Sequence, residues 1–111
     1  MENIQVVKTQ IPIDYGKVAE FCQRWKATEF ALFGSVLRDD FRLDSSDIDV
    51  LVSFAQDAHW TLLDWVDMEE DAKKIFGREV DLVSRRGIER SRNYLRRKAI
   101  LDSAQVIYAA S

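Results

Sequence analysis

The chain has 111 residues, 47% of them hydrophobic and 32% charged, which fits a single domain over 1–111 with a core of its own. One cysteine excludes an internal disulfide framework and any multi-cysteine zinc site. No apolar run approaches the ~18 residues of a membrane span, and the polar start MENIQVVKTQ is unlike a secretory signal, so a cytoplasmic protein without a membrane partner is expected.

The formal net charge of −3 hides a division along the chain. Residues 39–81 carry 13 acids and 4 bases, whereas residues 85–98 (RRGIERSRNYLRRK) carry 7 bases and 1 acid. A chain that is not uniformly basic argues against direct nucleic-acid binding. An acidic centre beside a basic stretch suits metal ions and a polyphosphate, and it equally suits two solvated helix faces of opposite sign.

In chain order, Lys17 to Trp25 has the spacing of an amphipathic helix, with Val18, Phe21, Cys22 and Trp25 on one stripe and Asp14 placed to cap it. Cys22 on that stripe reads as a small core residue. Glu29 to Phe33 predicts a short strand ending at Gly34-Ser35, and Val36-Leu-Arg-Asp predicts the start of a helix. Ile48 to Phe54 is the clearest strand, with Ile48, Val50, Val52 and Phe54 on one face and Leu51 on the other. Trp60 to Phe76 predicts a long helix that Gly77 terminates, with His59 before it as a cap or surface residue. Val80 to Val83 predicts a third strand, residues 88–104 a basic helix, and Val106 to Tyr108 a short extended or helical end. This order predicts a small α/β (α+β) domain, one mixed sheet packed with helices.

Chemistry concentrates between Phe33 and Phe54. Asp47 and Asp49 flank Ile48, and residues two apart on a strand share a face at about 6.5–7 Å. Two converging ionised carboxylates repel unless a cation intervenes. Mg²⁺ meets that need, because it takes one or two carboxylates and completes its shell with waters and phosphates. Gly34 lets backbone N–H groups approach a phosphate, Ser35 adds a hydroxyl, and a helix beginning there adds a positive dipole end. Arg38 would project from the first turn toward the same phosphates; taken alone, the Gly-Ser pair equally reads as a plain strand–helix turn and Arg38 as a surface arginine. Asp81 stands in an apolar strand, where a buried acid needs a partner or a metal and an edge-strand acid simply faces water.

Taken together, Phe-Gly-Ser, eleven intervening residues (Val36 to Ser46), Asp-Ile-Asp-Val-Leu-Val, and Val-Asp-Leu-Val after a helix resemble the minimal nucleotidyltransferase (MNT) family of the DNA polymerase beta-like superfamily. The resemblance spans residues ~30–84. It implies a nucleotidyltransferase-like core in which Gly34 and Ser35 hold the triphosphate of ATP. It further implies that Asp47, Asp49 and Asp81 bind Mg²⁺, that Asp81 serves as general base, and that Arg38 is the arginine after the Gly-Ser pair. Two departures lie in the loop: the gap is eleven residues rather than ten, and Asp39 stands where a glycine commonly follows the arginine. MNT proteins of this size resemble antitoxins that transfer AMP to a tyrosine of a HEPN ribonuclease toxin, which implies such a toxin as partner. Arg85 to Lys98 and Val106 to Tyr108 are candidate docking segments. Two other readings stay open: an antitoxin that acts by occlusion alone, and a nucleotidyltransferase acting on a small molecule or RNA.

Overall fold

Five strands form one sheet in the order β1-β5-β2-β3-β4, built from β1 (Glu2–Ile4), β2 (Ala27–Phe33), β3 (Ile48–Phe54), β4 (Val80–Ser84) and β5 (Gln105–Ala110). The computed structural model describes residues 2–4, 9, 11–38, 42 and 46–110, apart from the side chains of Glu2 and Asn3. Strands β3 and β4 run parallel and every other pair is antiparallel, so the sheet is mixed as the sequence predicts.

The parallel pair exists because a helix intervenes. Helix α2 (Leu62–Phe76) carries the chain from the end of β3 back to the start of β4. Thr61 caps it in a reciprocal capping box with Asp64, and Gly77 closes it in the left-handed region at φ 67°. The cap is therefore Thr61, one residue inside the predicted start, and His59 is an exposed loop residue. Thr61→Ala is expected to cost about 1 kcal/mol of stability in urea unfolding, with the slope of the transition unchanged.

Two cores lie on opposite faces of the sheet. On the first, Val18, Phe21, Cys22 and Trp25 of helix α1 (Tyr15–Trp25) and Met68 and Ala72 of α2 pack on Phe30, Leu32, Ile48, Val50 and Val52. Asp14 caps α1 by accepting from the Lys17 backbone N–H, as its sequence predicts. On the second face, Ala31, Phe33 and Leu51 meet Ile88 of helix α3 (Arg85–Glu89) and Ile100 of helix α4 (Tyr94–Ser103). Strand β3 is thus covered on both sides, which explains its near-continuous run of apolar residues.

Three expectations are corrected. The single basic helix over 88–104 is two helices, because Ser84 caps α3 and the Asn93 side chain caps α4 by accepting from Arg96 N–H. Val106 to Tyr108 lie in β5, an interior strand between β1 and β2, with Ile107 fully buried and Tyr108 2% exposed, so Ile107 and Tyr108 offer no docking surface. The helix expected from Val36 is a four-residue 3-10 turn, Gly34–Leu37, and Arg38 beyond it is extended (φ −118°, ψ 163°).

Candidate active site

The sheet register assembles the site. Phe33 on β2 pairs with Asp49 on β3, and Asp49 pairs with Asp81 on β4, giving one lateral row of side chains on the second face. The Ile48 backbone N–H donates to the Glu79 carbonyl at 3.0 Å, tying the entry of β3 to the approach of β4. Ile48 itself is fully buried in the first core. The aspartates flanking it are left outside that core, which is the alternation read from the sequence.

Gly34 follows Phe33 at the end of β2, with φ +75°. A Cβ at position 34 would overlap the Asp49 carboxylate, meeting Oδ2 and lying 3.1 Å from Cγ. Glycine is required here twice, by backbone conformation and by the carboxylate against it. The half-buried Ser35 follows, and its carbonyl accepts from Arg38 N–H at 2.9 Å. The short 3-10 turn supplies no extended helix dipole, so any hold on a phosphate falls to the local N–H groups and the Ser35 hydroxyl.

Asp49 is the electrostatic centre. Its carboxyl is pushed up to about 6, first by burial, then by the negative charges of Asp81 and Asp47, while Arg38 and Arg96 pull it back. Asp47 and Asp81 are exposed and Asp49 is half-buried. The exposure of Asp81 follows from its place on the edge strand β4, where it alternates with buried Val80 and Leu82. Both readings of this acid therefore meet: it faces water, and it lies beside Asp49.

Among the described residues, no three His, Cys, Asp or Glu side chains are drawn together closely enough to enclose a metal. The fit is instead that of an open site. Paired Asp49 and Asp81 offer only oxygen donors, and the mutual repulsion that raises Asp49 is what a hard divalent cation relieves. A metal at Asp49 competes with its proton, so affinity falls as pH drops through the carboxyl's range. Mn²⁺ titration is expected to show binding about tenfold weaker at pH 5 than at pH 7, with a plateau above that.

Of the remaining expectations, Asp39 and most of the eleven-residue loop lie outside the described residues. Arg38 is present as a charge acting on Asp49, although from an extended residue rather than a helical turn. Arg96 acts on Asp49 as well, and the sequence reading did not single it out. A cavity of about 780 Å³, lined by residues such as Ser53, Phe54, Trp60 and Arg85, opens at the other ends of β3 and β4, away from the acidic row.

Comparison with known proteins points the same way. A solved structure provisionally titled a minimal nucleotidyltransferase is 36% identical, with a TM-score of 0.61, covering 81% of this chain and 85% of that one. A protein of Methanocaldococcus jannaschii provisionally named a protein adenylyltransferase is 32% identical over 65 residues, 59% of this chain and 64% of that protein's length. A chain from the complex of a tri-AMPylated HEPN toxin with an MNT antitoxin of Shewanella oneidensis shares the fold, with a TM-score of 0.56 at 18% identity, covering 86% of this chain and 69% of that one. The model of the nucleotidyltransferase domain matches residues 17–107, so the chain belongs to that family.

Proposed function

We propose that the chain is a Mg²⁺-dependent protein adenylyltransferase, an antitoxin that moves AMP from ATP to a tyrosine of a HEPN ribonuclease toxin and so neutralises it. The observation that carries this reading is the pairing of Asp49 with Asp81 on adjacent strands, with the Asp49 carboxylate against Gly34. The names of similar proteins support a protein acceptor: one is named for protein adenylylation, and another was solved bound to an AMPylated toxin.

In this reading, the N–H groups at Gly34 and Ser35 and the Ser35 hydroxyl hold the triphosphate, and Arg38 neutralises part of its charge. Asp47, Asp49 and Asp81 would hold Mg²⁺, which when bound offsets phosphate charge and lowers the pKa of the attacking hydroxyl. Asp81, the most open of the row to an incoming partner at the sheet edge, accepts the proton of the tyrosine hydroxyl. The tyrosine oxygen forms its bond to the α-phosphorus as the α–β bridging bond breaks, and pyrophosphate leaves with that electron pair. Positioning and charge neutralisation account for most of the acceleration, since no covalent enzyme intermediate is needed.

The test is incubation with ATP labelled at the α-phosphate, Mg²⁺ and the product of the adjacent reading frame. Label on a partner tyrosine, lost with chelator, is the expected outcome. Neutralisation of the partner without ATP and without label would replace this reading with occlusion, and label confined to RNA or a metabolite would replace the acceptor.

A further inference from the structure

We infer that the first turn of α2 and the cavity beside it form a two-fold interface between copies of this chain. The inference is independent of the nucleotide reading, because this surface lies at the ends of β3 and β4 away from the acidic row.

The apolar projection comes from α2. Leu62 and Leu63 are 80% and 78% exposed and Val66 is 50% exposed, on a helix whose opposite face buries Met68 and Ala72. Leu62 lies three residues before Trp65 and four before Val66, and Leu63 lies three before Val66, so these side chains form one continuous surface. Single exposed leucines are ordinary, whereas a contiguous apolar patch signals a contact with another molecule. At Trp65 the patch turns into the cavity of about 780 Å³, whose walls also include Phe54 and Trp60. The Phe54 ring meets both tryptophans edge to face, which holds those walls in place. An apolar knob thus stands directly beside an aromatic-walled hollow.

That juxtaposition selects the occupant. In a two-fold interface one patch serves both copies, so it must carry a projection and the receptor for that projection. Rotation about an axis between the two seats Leu62 and Leu63 of each copy in the hollow of the other. The charges agree with this rotation. Asp67 follows Leu63 by four residues and lies on the side of the knob turned away from Trp65. Arg86 of α3 lines the hollow on the side opposite α2. Both are exposed, and neither forms an ion pair among the described residues. The rotation brings Asp67 of one copy to Arg86 of the other, twice over. A foreign apolar segment has no need of opposite charges at the two ends of the patch.

Sedimentation equilibrium of the full chain tests this, with Leu63→Glu, Asp67→Arg, Arg86→Glu and the double exchange Asp67→Arg/Arg86→Glu. The wild type is expected to dimerise reversibly, and Leu63→Glu to weaken the dimer at least about tenfold, since each copy carries the change. Position 63 is the second residue of α2, where an acid favours the helix, so the thermal midpoint of the monomer is expected not to fall. Each single charge reversal is expected to weaken the dimer about fivefold, and the double exchange to return it to within about twofold of the wild type. A wild type still monomeric at about 1 mM overturns the inference, as does a dimer that Leu63→Glu leaves intact. A double exchange no tighter than the single reversals overturns the two-fold arrangement. Binding of the adjacent-frame product through Leu63 by a monomeric chain would give the surface to a foreign partner instead.

Discussion

Asp49→Asn is expected to reduce adenylyl transfer about a thousandfold or more while making the metal-free protein more stable. On the proposed function, the loss follows from removing one of the carboxylates that would hold a metal, whose charge neutralisation is worth several kcal/mol when it is bound. The gain follows from the same carboxyl. Asp49 sits at about 6 because burial and the charges of Asp81 and Asp47 disfavour its ionised form. Between roughly pH 4 and 6 the native state binds a proton that the unfolded chain has released, so stability falls as pH rises through that window and stays reduced above it. An amide cannot ionise, and its gain at neutral pH is on the order of 1 kcal/mol after allowing for solvent screening. Urea unfolding of both proteins at about pH 5 and pH 7.5, without metal, checks the sign: the difference is expected to grow with pH. A destabilised, equally inactive Asp49→Asn would mean that the acid holds the fold rather than a ligand.

The second large effect is expected at Gly34. Gly34→Ala places a methyl group where the Asp49 carboxylate now lies, at a φ of +75° that costs a side chain about 1–2 kcal/mol by itself. The carboxylate must move, and the end of β2 with it. A displacement of that size in a positioned site costs on the order of a hundredfold in rate, even with every reacting group present. Activity is therefore expected to fall about a hundredfold with a modest drop in thermal midpoint. Gly77→Ala is the control, since it carries a comparable φ of +67° with open space around it. It shares the backbone cost and is expected to keep full activity. Equal loss of activity in both would trace the Gly34 effect to stability alone.

The alternation of the two acids about Ile48 was legible because it depends on period. Asp47 and Asp49 alternate with Ile48, whose complete burial fixes which way the strand faces. Helices α1 and α2 were legible for the same reason, together with two caps that the sequence states outright, the Asp14 side chain and the left-handed backbone of Gly77. Elements defined by neighbours rather than by pattern were legible only in part, as for Val106 to Tyr108, which read as extended or helical. The short segment Gln105–Ala110 becomes a strand only because β1 and β2 flank it. The break between α3 and α4 turns on Asn93 preferring a cap to a helical interior, a local competition that a run of basic residues conceals.

For Asp81 the flanking residues left two readings open, a buried acid with a partner and an edge-strand acid facing water. Val80 and Leu82 are buried, yet the acid between them points to the other side of an edge strand and reaches water. Its link to Asp49 is a matter of register across β3 and β4, which no spacing along the chain encodes.

The most direct measurement is a crystal structure with Mn²⁺ and a non-hydrolysable ATP analogue, using the anomalous signal of manganese. A peak between the carboxylates of Asp49 and Asp81, with the triphosphate over Gly34 and Ser35, is the expected result. Manganese bound elsewhere, or a nucleotide seated in the cavity beside Trp60 and Arg85, would contradict it.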